Sequence, residues 1–596
     1  MKRDRREEVK YKVLCKLIRV KLQEDYNNYR CKKLLEAAEE RKSLKRCRRE
    51  LATSRAVITT LLDDSGKEID DIESVERRCK DFYTELFSSD IQIPPPTITN
   101  SDTAPPQVLV SEITSALSQM ANDRAPGKDG ITAKMIKAAG YPLWKALAER
   151  FTMYLEMGQV PKAWKEAKTI LIFKKGNRKD LKNYRPICLL SHVYKLFTKV
   201  ILNRISNTLD EEQPREQAGF RSHYSTIDHL FTINRLLETA KEHRLPICLA
   251  FVDYEKAFDS VEFNAVLQAL ANQGIDDSYI RILLEANTGC TTEIQLKDNV
   301  VTVPICKGVK QGDTISPKLF TACLENLIRQ MNLQGGIKMD GEELTNLRFA
   351  DDIVLISSNM GDLQGMLQEL EAKSKEIGLK INKSKTKVMR TPWAKENEVK
   401  IDGERIEEVT SYVYLGQEIS ASHDIRPEIN RRIRAGWKAF GSIRSILAGK
   451  ASRELRARLY NTVVLPAMTY GCETWTITKT EEQMLKVSQR AMERAMLRIT
   501  IKDKVKCEEI RKLSQVKDII TEITRSKMRW AGHVVRMADN RWTTRILGWY
   551  PRNMKRPKGR PFTRWEELVK KKIGTNWVRE ARNRQSWKVH CDPRNF

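Results

Sequence analysis

Leu347-Arg348-Phe349-Ala350-Asp351-Asp352-Ile353-Val354-Leu355-Ile356 is the stretch on which the reading of this chain turns. Adjacent carboxylates flanked by apolar residues read as a β-hairpin whose tight turn carries both acids. Taking paired negative charges out of water is unfavourable by several kcal/mol unless a cation offsets them. A hard divalent ion such as Mg²⁺ is the natural counter-charge, because it takes oxygen ligands. An isolated Asp-Asp between strands is more often an ordinary acidic turn, so its partners elsewhere in the chain decide.

Those partners exist. A second strand-like run, Ile247-Cys248-Leu249-Ala250-Phe251-Val252-Asp253, ends in an acid and continues as Tyr254-Glu255-Lys256-Ala257-Phe258-Asp259. A strand ending in one carboxylate, beside a hairpin tipped with two, can gather three carboxylates at one sheet edge. That is the smallest set able to hold two divalent ions about 3.5–4 Å apart, which clamp the attacking and leaving oxygens of a phosphoryl displacement. Between the two runs lies Lys307-Gly308-Val309-Lys310-Gln311-Gly312-Asp313-Thr314-Ile315-Ser316-Pro317. Its glycines permit close backbone approach, and Gln311 offers both donor and acceptor to a base or sugar.

Together these segments resemble the reverse transcriptase domain of non-LTR, LINE-like retrotransposons, most like the RTE and jockey groups. Ala125-Pro126-Gly127-Lys128-Asp129-Gly130 is similar to the element that opens that domain. Asn183-Tyr184-Arg185-Pro186-Ile187 resembles the fingers motif, and Gln217-Ala218-Gly219-Phe220-Arg221 the segment that follows it. AFVDYEKAFDSV (250–261) is similar to palm motif A, KGVKQGDTISP (307–317) to motif B, and FADD (349–352) to motif C. GLKINKSKTKVM (378–389) resembles motif D and Tyr414-Leu415-Gly416 motif E, so the likeness covers roughly residues 110–420.

The resemblance implies an α+β right-hand polymerase with fingers, a ferredoxin-like palm and a helical thumb. It implies an RNA-directed DNA polymerase that moves a nucleotide from a dNTP to a primer 3′-hydroxyl on an RNA template. Asp253, Asp351 and Asp352 would then be catalytic and hold two Mg²⁺ ions (Mn²⁺ as a substitute), joined by the Tyr254 carbonyl. Arg185 would clamp the triphosphate, with Lys174 or Lys175 as a second cation. Phe258 would fill the volume of a ribose 2′-hydroxyl; plain core packing is its other reading. Gln311 and Gly312 would line the nascent base pair. Lys385 would hand a proton to the leaving pyrophosphate, in competition with Lys383 and Lys387.

Composition points to the same partners. Lys+Arg 106 against Asp+Glu 78 gives a net charge of +28, which favours a polyanion. Residues 1–50 hold 18 basic and 9 acidic side chains, and residues 541–596 hold 16 and 4, so the excess sits at the two ends. The expected organisation is a basic helical extension over 1–87, a proline-rich linker over 88–109, fingers and palm over 110–420, a helical thumb over 421–515, and a basic, Trp/Arg-rich nucleic-acid-binding region over 516–596. In the first of these, Val9, Val13, Leu17, Leu34 and Leu44 suggest an amphipathic face. In the thumb, Ile429, Ile433, Trp437, Phe440, Ile443 and Leu447 fall on one helical face. In the last, Lys555, Arg556, Lys558 and Arg560 surround a Gly-Arg-Pro step that resembles a minor-groove-reading AT-hook. Tryptophans interleaved with arginines there also suit stacking on single strands.

Twelve scattered cysteines without a C-x-x-C pair read as a reduced, intracellular protein, nuclear or cytoplasmic, without structural zinc. No apolar run approaches the ~18–20 residues of a membrane span. Nothing in the pattern sets an oligomeric state. LINE elements usually place an endonuclease before the polymerase; this chain starts in what resembles the linker after that domain, so the expected product polymerises without nicking its own target. Two other readings stand beside this one. A viral RNA-dependent RNA polymerase usually has Gly before the paired acids and a small residue at the gate, which Ala350 and Phe258 oppose. A catalytically inactive, retrotransposon-derived nucleic-acid-binding relic is opposed by the intact acids.

Overall fold

The Cys248–Val252 strand is buried along its whole length, and its two faces serve two different cores. Cys248, Ala250 and Val252 join Ile353, Leu355 and Val388 in one cluster. Leu249 and Phe251 join Val354, Ile356 and Met389 in another. This period of two, with both faces covered, is why the strand reads as an unbroken apolar run although its neighbours are antiparallel. The computed structural model describes residues 2–51, 58–98, 105–296, 299–449, 451–552, 554–559 and 561–592.

The sheet around this strand runs Asn346–Phe349, Asp352–Ser357, Cys248–Val252, Lys387–Arg390, antiparallel throughout. Helices Ser316–Arg329 and Met360–Glu376 connect its strands and, with Phe263–Asn272, bury Leu319, Leu363, Leu367 and Val266 in the first cluster. Strand, helix, two strands, helix, strand in this spatial order is a ferredoxin-like palm. Phe349 pairs with Asp352. Only Ala350 and Asp351 therefore form the turn, and Asp352 opens the return strand instead of sharing the turn with Asp351.

A second sheet, in the order Tyr184–Leu189, Glu166–Phe173, Cys290–Gln295, Val300–Ile305, stands before the palm in the chain and is interleaved with it. Helix Ile72–Phe87 packs on that sheet through Val75, Cys79, Tyr83 and Phe87. The proline-rich stretch is tied down where it is described: the Ile93 and Pro94 carbonyls accept bonds from Asn264 and Gln268 at 2.7 and 2.8 Å. After the palm, the hairpin Ser411–Tyr414/Gln417–Ser420 turns through Leu415 and Gly416. Both have positive φ (44° and 80°), as the twist-matched two-residue turn requires. Helices Arg426–Leu447 and Lys479–Leu497 then enclose Phe440, Met468, Met492 and Trp475. The whole is the α+β right-hand architecture, with a helical thumb beyond the palm.

Two expectations change. The Lys2–Glu39 helix exists, but Val13 and Leu17 are 62% and 55% exposed, and it reaches the thumb core near its end, through Leu34, Leu35 and Ala38. Lysines and arginines are interspersed among its apolar positions, so no continuous stripe forms. The C-terminal tryptophans are not a stacking platform. Trp530, Trp542, Trp549, Trp565, Trp577 and Trp587 are all buried, against helix Thr226–His243 and one another; the Phe231 and Trp565 rings lie 4.8 Å apart. The Trp565 indole N–H donates to the Glu473 carbonyl at 2.7 Å. Truncating it, Trp565→Ala, should remove about 3–5 kcal/mol of stability, read as a lower urea midpoint with an unchanged slope. An unshifted midpoint would put that indole outside the core.

Candidate active site

Register decides where the acids go. Ile353 pairs with Val252, so Asp352 and Asp253 are neighbours where the ladder ends, and Asp351 sits in the turn above them. The three charges act on one another. Burial raises the proton affinity of Asp351, and the Asp253 charge adds to it, while its own backbone N–H, Lys174 and Arg185 oppose. Asp352 is pushed up to about 6 by burial, then by Asp351 and Asp253, with Lys174 opposing. Asp352 still reaches solvent along one side.

These are hard oxygen donors whose repulsion a divalent cation would relieve, so the donor set fits Mg²⁺. The cage is not closed, however. Among the described residues no group of three His, Cys, Asp or Glu side chains is already spaced to hold a metal. The Asp253 carboxylate is instead engaged by the Lys385 ammonium at 2.8 Å. The segment that supplies Lys385 lies along the end of the strand: Asn382 N–H donates to the Asp253 carbonyl at 2.7 Å and Glu255 N–H to the Lys380 carbonyl at 2.9 Å. Tyr254 faces Ile381 between those two bonds, so its own carbonyl belongs to neither, and its buried phenol meets Ser374 Oγ at 2.8 Å. Lys383 pairs with Asp402 and Glu404, and Lys387 with Glu407. Of the three lysines, Lys385 is the one held at the acids.

Opposite stands the tip of the Glu166–Phe173/Tyr184–Leu189 hairpin. Ile172 pairs with Arg185 and Lys174 N–H donates to the Asn183 carbonyl at 2.9 Å, which sets Lys174, Lys175 and Arg185 side by side and exposed. Burial, then the Arg185 and Lys385 charges, lower the proton affinity of Lys174, and Asp253 opposes them. Lys174, rather than Lys175, is the lysine whose field reaches the acids. A cleft of about 150 Å³ beside Asp352, lined by Phe251, Tyr412 and Tyr414, is too small for a nucleotide. Neither Lys174 nor Arg185 lines that cleft.

Gln311 and Gly312 lie against the Tyr184–Leu189 strand. The Gln311 carbonyl accepts from Cys188 N–H at 2.8 Å, which ties the turn to the opposite hairpin. At Gly312 (φ 118°) a Cβ would press on the Cys188 carbonyl at 2.6 Å, so glycine is required. Phe258 is half-buried, stacked on Phe320 at 4.7 Å with Phe220 edge-on at 6.2 Å. Its ring is thus packed between two aromatic neighbours while part of it remains accessible. Sequence reasoning missed Asp259, which is buried and accepts from Gln311 Nε2 at 2.8 Å. Burial raises its proton affinity, and the Lys256 charge opposes that. Lys256 in turn sits over the Phe82 ring at 4.4 Å. Nothing in the sequence marks it, because one acid in the four-residue helix Ala257–Ser260 leaves no periodicity.

Lys555, Arg556 and Lys558 are not brought to the acids. Lys555 and Lys558 are exposed, and Arg556 pairs with Glu242 at 3.6 Å. Glu242 lies about 20 Å along helix Thr226–His243 from His229, whose ring meets that of Phe349 at 6.3 Å. Arg560 lies outside the described residues.

Residues 172–419 match the family model described as reverse transcriptase (RNA-dependent DNA polymerase). A transposon-derived protein of Caenorhabditis elegans is 38% identical over 268 residues, 42% of this chain and 96% of that one. The Pol polyprotein of the type-1 retrotransposable element R2 from Popillia japonica is 26% identical, over 59% of this chain and 50% of the relative. The RNA-directed DNA polymerase from mobile element jockey of Drosophila melanogaster is 24% identical, over 62% of this chain and 42% of the relative. The chain thus spans nearly all of the worm protein but half or less of the two element proteins.

Proposed function

We propose that this chain, which belongs to the reverse transcriptase (RNA-dependent DNA polymerase) family of non-LTR retrotransposons, copies an RNA template into DNA by extending a primer with dNTPs. One juxtaposition carries the reading. Asp253, Asp351 and Asp352 at the end of one ladder face the cationic Lys174–Arg185 tip, within the span that matches the family. In the reaction the primer 3′-hydroxyl releases its proton to solvent, its oxygen bonds to the α-phosphorus, the bond from that phosphorus to the oxygen shared with the β-phosphate breaks, and pyrophosphate leaves.

Asp253, Asp351 and Asp352, with the Tyr254 carbonyl, are the oxygen ligands for two Mg²⁺ ions, for which Mn²⁺ can substitute. When bound, the ions supply Lewis-acid stabilisation of the attacking and departing oxygens. Lys385, which pairs with Asp253, would hand a proton from its ammonium to the departing pyrophosphate. Arg185 offers its planar fork to phosphate oxygens, and Lys174 adds a point charge beside it. Phe258 fills the place a 2′-hydroxyl would need, and Gln311 and Gly312 support the nascent pair. Lys555, Arg556, Lys558 and Arg560 add contacts to a nucleic-acid backbone away from the chemistry. The reaction runs inside the cell, in nucleus or cytoplasm.

On a primed RNA template with dNTPs and Mg²⁺, Asp351→Asn should lower the incorporation rate about a hundred- to thousandfold. Parental activity in that variant would end the polymerase reading. Salt-sensitive RNA binding by the parent, with no incorporation under Mg²⁺ or Mn²⁺, would favour a nucleic-acid-binding relic. A separate measurement concerns the sugar: Phe258→Ala should raise the ratio of rNTP to dNTP incorporation about tenfold or more. An unchanged ratio would leave Phe258 as packing only.

A further inference from the structure

The turn that carries Asp351 is not self-sufficient. Ala350 has φ 59°, a conformation that disfavours any side chain by roughly 1–2 kcal/mol. Something outside the hairpin must hold it. That role falls to a segment with no place among the expected functional residues. Gln217 is 1% exposed, and its Oε1 accepts the Ala350 N–H at 3.1 Å and the Gly219 N–H at 2.7 Å. Gln217 also bridges Arg348 in parallel register: Arg348 N–H donates to the Glu216 carbonyl and Ala218 N–H to the Arg348 carbonyl, each at 2.9 Å. Residues 216–218 thus cover the open edge of the palm sheet. Gly219 lies so close that an added Cβ would overlap the Ala350 nitrogen.

This segment is itself held from the C-terminal region. The Trp542 indole N–H donates to the Glu216 carboxylate at 2.7 Å. Arg541, 4% exposed, donates to Asp228 Oδ1 at 3.1 Å and to the His223 carbonyl at 3.0 Å, with its guanidinium 3.8 Å from the centre of the Tyr224 ring. Arg215 pairs with Glu342 and lies over the Trp542 ring at 5.3 Å. We infer that Gln217 and, behind it, Trp542 are positioning residues for the Asp351 carboxylate, so that the C-terminal region completes the active site from behind. The inference rests on the polymerase reading for what Asp351 does, but not for how its turn is held.

The test uses the full chain with Gln217→Met, which keeps bulk and removes the acceptor, and Trp542→Phe, which keeps a ring and removes the donor. Trp587→Phe is the control, since it removes a buried indole bond, to the Met528 carbonyl at 2.8 Å, in the same core but not to this segment. Deuterium exchange of a peptide spanning 347–356 should be about tenfold faster or more in Gln217→Met, and several-fold faster in Trp542→Phe. It should be unchanged in Trp587→Phe. In primer extension, kcat should fall about tenfold or more in Gln217→Met and the Mg²⁺ concentration for half-maximal rate should rise. KM for dNTP should move little. Parental exchange and Mg²⁺ midpoint in Gln217→Met would overturn the inference, as would equal acceleration in the Trp587→Phe control. Faster exchange in a protein whose parent incorporates nothing would uphold the clamp and sink the polymerase reading.

Discussion

Three carboxylates at the end of one ladder repel one another, and in a half-buried setting that repulsion is several times stronger than in water. The geometry of the surrounding chain follows from containing it. Lys385 reaches Asp253 from the loop below, and the exposed tip with Lys174 and Arg185 supplies opposing charge from across the cleft. Lys385 comes from the palm itself and the Lys174–Arg185 tip from the second sheet, which the Cys188 N–H to Gln311 carbonyl bond ties to the turn before Ser316. In the proposed reaction, metal cations belong to the side of the acids and phosphates to the side of the tip.

The placement of the acids depends on a strand with two covered faces, and that demand propagates outward. Leu249 and Phe251 need a cover on the side away from Ser316–Arg329, and helix Thr226–His243 provides it. Every residue of that helix from Asp228 to Ala240 is buried. A helix buried all round must be covered on its far side too. The C-terminal tryptophans do this, and the helix's polar groups are met by partners from the same region: Asp228 by Arg541, and Glu238 by the backbone N–H of Trp565 at 2.6 Å. The C-terminal region is thus the third layer of the palm, continuous with its core.

This explains what the sequence could and could not disclose. The Asp253 strand and the Phe349–Asp352 hairpin were legible because strands covered on both faces leave unbroken apolar runs and the acids punctuate them. The division of labour among Lys383, Lys385 and Lys387 was not, since a loop fixes which lysine faces inward and three neighbours share one composition. The tryptophans were misread because aromatic and basic interleaving looks the same whether the rings meet bases or a helix. A discriminating signal was present elsewhere: Ile227, Leu230, Phe231, Ile233, Leu236 and Leu237 occupy more than one face of a helix, and a helix of that kind needs two-sided cover. Asp259 was overlooked for the converse reason, because a single acid inside an apolar turn gives no periodicity to detect.

The residue before the paired acids shows how local strain and distant support work together. A glycine at 350 would adopt the turn without strain, yet it would also widen the conformations open to the hairpin before and after folding. Alanine narrows that range but makes the required positive φ unfavourable unless its N–H is held. Gln217 supplies the hold, and glycine at 219 clears the space for it. The strain is therefore confined to one residue and compensated by a buried amide oxygen with two donors. The turn gains rigidity from alanine only because a segment far away in sequence is anchored to the C-terminal core. Precision at Asp351 is in this sense a property of the whole three-layer palm and not of the tetrapeptide in which it is written.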